Sequence, residues 1–206
     1  MITILNELKE HFRFTFSGAA IAVLFMFLIR LIAPDFLNME VAGQLFEISH
    51  PLHVVLSALV TATVFSNYQK REKKTAGGYF VVFLIGYFGS IGIATLSDSI
   101  VPYWAELFLG LEHAHPHIGI IEMPIVINLA AFFGVGLSFL VKDTHFPHAG
   151  HVLLSTAASL FHIMQSQAGA FSVYQSLFIA VFLFLAVWIP CCFSDIVFPL
   201  LFVKKK

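Results

Sequence analysis

Residues 50–61 read HPLHVVLSALVT and residues 148–159 read HAGHVLLSTAAS, identical at five of twelve positions across an offset of 98. Both histidines and the serine carry the match. At 100° per residue, His50, His53, Ser57 and Thr61 fall within about 80° of arc on a helix, which makes one polar stripe on an otherwise apolar segment. His148, His151, Ser155 and Ser159 repeat that stripe, and His162 extends it to about 21 Å at the 1.5 Å rise of an α-helix. Lipid offers such a stripe nothing, because polar groups at membrane depth persist only against protein or a water-lined cavity.

The stretches on either side extend the pattern. At an offset of 97, Ser97-Asp98 matches Ser194-Asp195 and Pro102 matches Pro199. The order His-x-x-His, helix, helix, Ser-Asp, short apolar piece therefore occurs twice. A hydrocarbon core of about 30 Å needs roughly 20 apolar residues per helix. Six segments qualify, at 14–33, 48–66, 77–97, 118–141, 147–166 and 171–191, with start and turn signals at Pro34, Ser49 with Pro51, Gly77-Gly78 and Pro147. None shows the alternation of a membrane strand.

The predicted fold is thus all-α: a polytopic bundle of six transmembrane helices in two inverted three-helix repeats (3+3), 1–111 and 112–206, forming one membrane domain. An odd number of spans per copy makes the second copy enter from the opposite side, an arrangement common in transporters. The apolar pieces 100–111 and 196–203 are too short to span and are expected as interfacial helices after spans three and six. Gly86, Gly89 and Gly92 leave one face of the third span bare for close packing.

Composition agrees with this reading. The chain is 59% hydrophobic and 11% charged, with 24 Phe and a mean hydropathy of +0.89, so water is not its main solvent. A formal charge of -1 gives no reason to expect nucleic acid. Lys9, Arg13, Lys70, Arg71, Lys73, Lys74, Lys142 and Lys204 to Lys206 all fall inside if the amino terminus is cytoplasmic. Arg30 lies within the first span. That distribution predicts a multi-pass protein of the cell (inner) membrane with both termini cytoplasmic and acidic external segments at 34–47 and 98–117. The first apolar run lacks a clear cleavage site and is expected to be retained.

Ten histidines stand against eleven Lys plus Arg, an unusual proportion in so apolar a chain. His at i and i+3 share one helical face, so two imidazoles can reach one ion, and neutral imidazole suits divalent transition metals. Asp98 ends the third span on the side where His50 and His53 begin the second; Asp195 stands likewise to His148 and His151. Two His-His-Asp clusters, one near each membrane surface, are the expected metal sites. Ser57, Thr61, Ser155 and Ser159 would line the path between them.

The tract Glu112, His113, His115, His117, with Glu122 just inside the fourth span, can gather cations at an entrance. His145 and His162 are further accessory donors. Cys191 and Cys192 form no disulfide framework; topology brings them near His145, His148 and His151, where thiolates would favour softer ions such as Zn or Cu(I), but the pair is read as small apolar filler.

These features predict a permease or channel for a divalent transition-metal ion of the Zn, Fe, Ni, Co or Mn class. Its partners would be the ion and the lipid bilayer, with homo-oligomer formation left open. Two alternatives stand beside it. One is a membrane metalloenzyme or a bis-His haem redox protein through His53, His151 or His162, although His-Glu-x-x-His, paired Glu-x-x-His and Cys-x-x-Cys-His are all absent from the sequence. The other is a structural membrane subunit.

Overall fold

A computed structural model describes residues 12–13, 15–25, 28, 38–68, 76–141, 145–169, 171–193 and 198–202. Every regular element among them is helical. In chain order these are α1 (Thr15–Phe25), α2 (Met39–Tyr68), α3 (Ala76–Thr95), a π-helical turn (Leu96–Ile100), α4 (Val101–Leu109), α5 (Gly119–Glu122), α6 (Pro124–Ser138), α7 (His145–Met164), α8 (Val173–Cys192) and α9 (Phe198–Leu201).

The helices are inside out by the standard of a water-soluble protein. Exposed side chains include Phe16, Ile21, Leu24 and Phe25 on α1, Ile125, Leu129, Phe132 and Phe133 on α6, and Val173, Leu177, Val181 and Leu185 on α8. Buried ones include Ser49, His50, His53, Ser57, Asp98, Glu106, Ser155 and His162. Apolar atoms outside and hydrogen-bonded polar atoms inside are what lipid selects. Three helical runs are long and apolar enough to cross a membrane: Met39–Asn67, Gly77–Leu109 and Val173–Cys191. The chain is a membrane protein by this measure.

Helix α2 is the axis of the bundle and packs against α3, α6 and α7. Its apolar window is 67% buried, against 28% for α8, which lies at the periphery. Small residues make the approach close. A Cβ on Gly86 would stand 2.8 Å from that of Ala62, and one on Gly134 would collide with the Val55 carbonyl oxygen. At Gly92 the same atom would meet nothing within 4 Å, so the expected three-glycine packing face is only partly used.

Several boundaries differ from those expected, each for a local reason. Helix α2 begins at Met39 rather than near residue 48. The Asn38 side chain caps it, Oδ1 accepting from Val41 N–H at 2.9 Å, and Ser49 and Pro51 lie inside the helix rather than at its start. The piece 100–111 is no separate interfacial helix, since α3, the π turn and α4 run on as one 33-residue span. Pro102 cannot donate to the Asp98 carbonyl, and its ring would clash there in a regular α-helix. One wider turn, closed by Val101 N–H on the Leu96 carbonyl, lets the helix continue. The expected fourth span breaks at Met123, which is held out of the helical region (φ -128°, ψ 54°) before Pro124. Helix α8 starts where expected, with a capping box between Ser172 and Gln175.

Candidate functional site

Asp98 sits in the π turn, fully buried, and both of its oxygens are saturated. Oδ2 accepts from His50 Nδ1 at 2.9 Å and from His53 Nδ1 at 2.6 Å. Oδ1 accepts from Ser97 Oγ at 2.6 Å and from Ser155 Oγ at 2.9 Å. The π turn explains how one residue gathers partners from α2 and α7, because a widened turn presents its side chains at an angle that a regular helix does not reach. A carboxylate only accepts, so each histidine carries a hydrogen on Nδ1, and in the neutral ring the lone pair is then on Nε2. The carboxylate thereby fixes tautomer and ring orientation, as outer partners of metal-binding histidines do.

His53 Nε2 is buried and has no hydrogen-bond partner among the described residues. Its ring lies 4.5 Å, centroid to centroid, from that of His151 on α7. Cys191, near the end of α8, completes the group: one donor atom each from His53, His151 and Cys191 lies within 4.8 Å of the others, and all three residues are buried. The Cys191 thiol also donates to Ser155 Oγ at 3.9 Å, and Ser155 in turn donates to Asp98. Two imidazoles and a sulfur from three helices form a soft, water-excluded donor set that suits Zn or Cu(I) better than Mg or Ca.

This placement revises the expected pair of clusters at opposite surfaces. His53 and His151 meet inside the bundle. The reason is the early start of α2, which moves His50 and His53 more than ten residues into the helix. Helices α2 and α7 lie antiparallel, with Gly43 beside Gln165 and Leu56 beside Gly150, so their midpoints coincide. Asp98 serves the histidines and is not itself in the donor group. His50 is committed to Asp98, and its Nε2 edge lies against Gly119, where a Cβ would collide with it. His148 is half-buried, its ring 6.1 Å from that of His151. Asp195 and the side chain of His145 lie outside the described residues.

Of the expected path-lining residues, Ser57, Thr61, Ser155 and Ser159 are all buried. Ser159 Oγ donates to the carbonyls of Ser97 and Ser155, tying α7 to the π turn.

The His-rich tract is an ordered cover. Gly110 turns the chain with φ 64°, Leu111 N–H bonds the Glu106 carbonyl, and His113 N–H bonds the Ser166 carbonyl at 3.1 Å. His115, His117 and Glu122 come together there as a second group with donor atoms within 4.8 Å. Burial holds the His117 imidazole below its ordinary range, with Glu122 opposing that shift, which favours a free lone pair at neutral pH. Glu112 and His113 are exposed and lie outside this group.

One buried residue was not anticipated. Glu106, in the piece read as interfacial, accepts from His162 Nδ1 at 2.6 Å and from His115 N–H at 3.2 Å. Its signal in the sequence was a lone carboxylate within VPYWAELFLGL, since an ionisable residue in an apolar segment is functional by default.

None of the protein-family models, curated proteins and solved structures compared with the chain matches it.

Proposed function

We propose that this protein is a permease or channel that carries a divalent transition-metal ion across a membrane. The observation that carries this reading is the His53, His151 and Cys191 donor set, built from three helices at the centre of an apolar-surfaced bundle and oriented by a buried carboxylate. Soft donors in such a place have a use as a station for an ion in passage. A fixed haem between His53 and His151 is disfavoured by their tilted rings, which touch and leave no room for a macrocycle.

The same reading has six crossings in two inverted halves, with both termini cytoplasmic. Several features favour it. Helix α7 packs on α8 as α2 does on α3, and α4 packs on α7 as α9 does on α2. The chain is again π-helical at Phe193, 97 residues after Leu96. Under that topology the basic residues of the sequence other than Arg30 would fall on the cytoplasmic side.

Cobalt(II) tests the site directly, because a cysteine ligand gives it a thiolate-to-metal charge-transfer absorption. Detergent-purified wild type titrated with cobalt should develop that band. Cys191→Ser should lose the band and bind at least about tenfold more weakly, a loss of about 1.4 kcal/mol or more. A wild type that binds no cobalt, zinc or nickel by elemental analysis would overturn the proposal.

A further inference from the structure

The outer half of the bundle repeats the chemistry of the inner site with different residues. Glu106 is fully buried and holds His162 by Nδ1 at 2.6 Å, as Asp98 holds His53. His162 is fully buried too, and its Nε2 has no hydrogen-bond partner among the described residues. By the same tautomer argument that nitrogen carries the lone pair of the neutral ring. The ring beside it is that of His117, 5.4 Å away centroid to centroid. His117 is held in its turn by a carboxylate, Nδ1 lying 3.3 Å from Glu122 Oε2. A desolvated imidazole nitrogen with no partner is costly to bury. Two of them, each oriented by a buried carboxylate and each beside another histidine, call for a common explanation.

Between the two arrangements lies Phe46. Its ring stacks on His50 at 5.2 Å and meets His162 edge-on at 5.3 Å, and the residue is 2% exposed. An ion held at His162 is therefore separated by one aromatic side chain from His50, which shares Asp98 with the inner donor His53.

We infer that His162 and His117, with Glu106 as the positioning residue and His115 and Glu122 at the rim, form a second, outer cation station for the same transition-metal ion, divided from the inner station by Phe46 and His50. The inference rests on the transport reading. Its donors are nitrogen and carboxylate oxygen with no sulfur, so the outer station should be the weaker and less selective of the two, suited to capture and release. Two stations of this kind fit conduction, which needs binding strong enough to enter and weak enough to leave.

Stoichiometry and spectrum together test this. Purified full-length protein in detergent is titrated with cobalt(II), with bound metal measured by equilibrium dialysis and the thiolate band followed by absorbance. Wild type should bind two equivalents, of which only one produces the band. In His162→Gln the second equivalent should weaken at least about tenfold while the banded one is unchanged. Glu106→Gln, which keeps an acceptor for Nδ1 but not the charge, should weaken the second equivalent about 10-fold to 100-fold. Retention of the band also reports that each variant is folded.

A wild type that shows the band but binds a single equivalent would overturn the outer station and leave the transport proposal standing. So would a second equivalent unchanged in both variants. Loss of the band in both variants would overturn it as well, since Glu106 and His162 would then be scaffold for the inner site. No band in the wild type would remove the reading on which both stations rest.

Discussion

Asp98→Ala should destabilise the protein by about 2–5 kcal/mol and reduce metal affinity at least about 10-fold to 100-fold. The carboxylate receives four hydrogen bonds from α2, α7 and its own turn. Interhelical hydrogen bonds in membranes average only about 0.6 kcal/mol, because the unfolded chain in lipid also finds partners, and the three that reach α2 and α7 give the lower figure. Removing one partner of a buried charged cluster costs about 3–5 kcal/mol and gives the upper. The affinity loss follows from freeing the His53 ring to rotate and to change tautomer. Asp98→Asn separates the two effects, because an amide keeps the volume and accepts on one side only. Its stability should fall less than that of the alanine variant, while its metal affinity falls nearly as far. Unfolding in a graded detergent series, read by tryptophan fluorescence beside the cobalt titration, measures both. An alanine variant as stable as wild type would mean that Asp98 is not the hub its geometry describes.

His53→Ala and His151→Ala should each lower cobalt affinity by at least about 100-fold, since each removes a donor and not merely its support. Their combination should cost clearly less than the sum of the two. Residues that share one bound ion are coupled, and a double-mutant cycle on the banded site should return a coupling of about 0.5–3 kcal/mol. Strict additivity would place the two histidines in separate sites, as their sequence positions first suggest.

Much of the inner site was legible in the chain, and the limits of that legibility are physical. Period and repeat put His50, His53 and Ser57 on one stripe and Ser155 and Ser159 on another, and both stripes are buried. The pairing of Asp98 with His50 and His53 follows from alternating spans and is what the structure shows. The meeting of His53 with His151 did not follow, because Ser49 and Pro51 resemble a helix start. Proline within a helix removes one hydrogen bond and crowds the carbonyl four residues earlier, a cost of about 3 kcal/mol that the packing of a long, mostly buried helix offsets.

Glu106 stayed hidden for a related reason. The piece 100–111 reads as too short to span, whereas a single π turn carries the helix past Pro102 and takes residues 101–109 into the bundle. The part proposed for Cys191 depends on which neighbours α8 meets; alternating spans put it on the side of His148 and His151, but local pattern does not pair it with His53. The His-rich tract read as an open entrance, and its hydrogen bonds to Glu106 and Ser166 make it a cover over the outer histidines.

Metal flux into proteoliposomes tests the central claim most directly. Vesicles carrying a trapped fluorescent chelator are given zinc(II) outside, with wild type, His151→Ala and protein-free vesicles run side by side. Wild type should admit zinc at several times the protein-free rate, and His151→Ala, reconstituted to the same density, should fall to near that background. Wild-type vesicles no faster than empty ones, or a His151→Ala variant as fast as wild type, would contradict transport through this site.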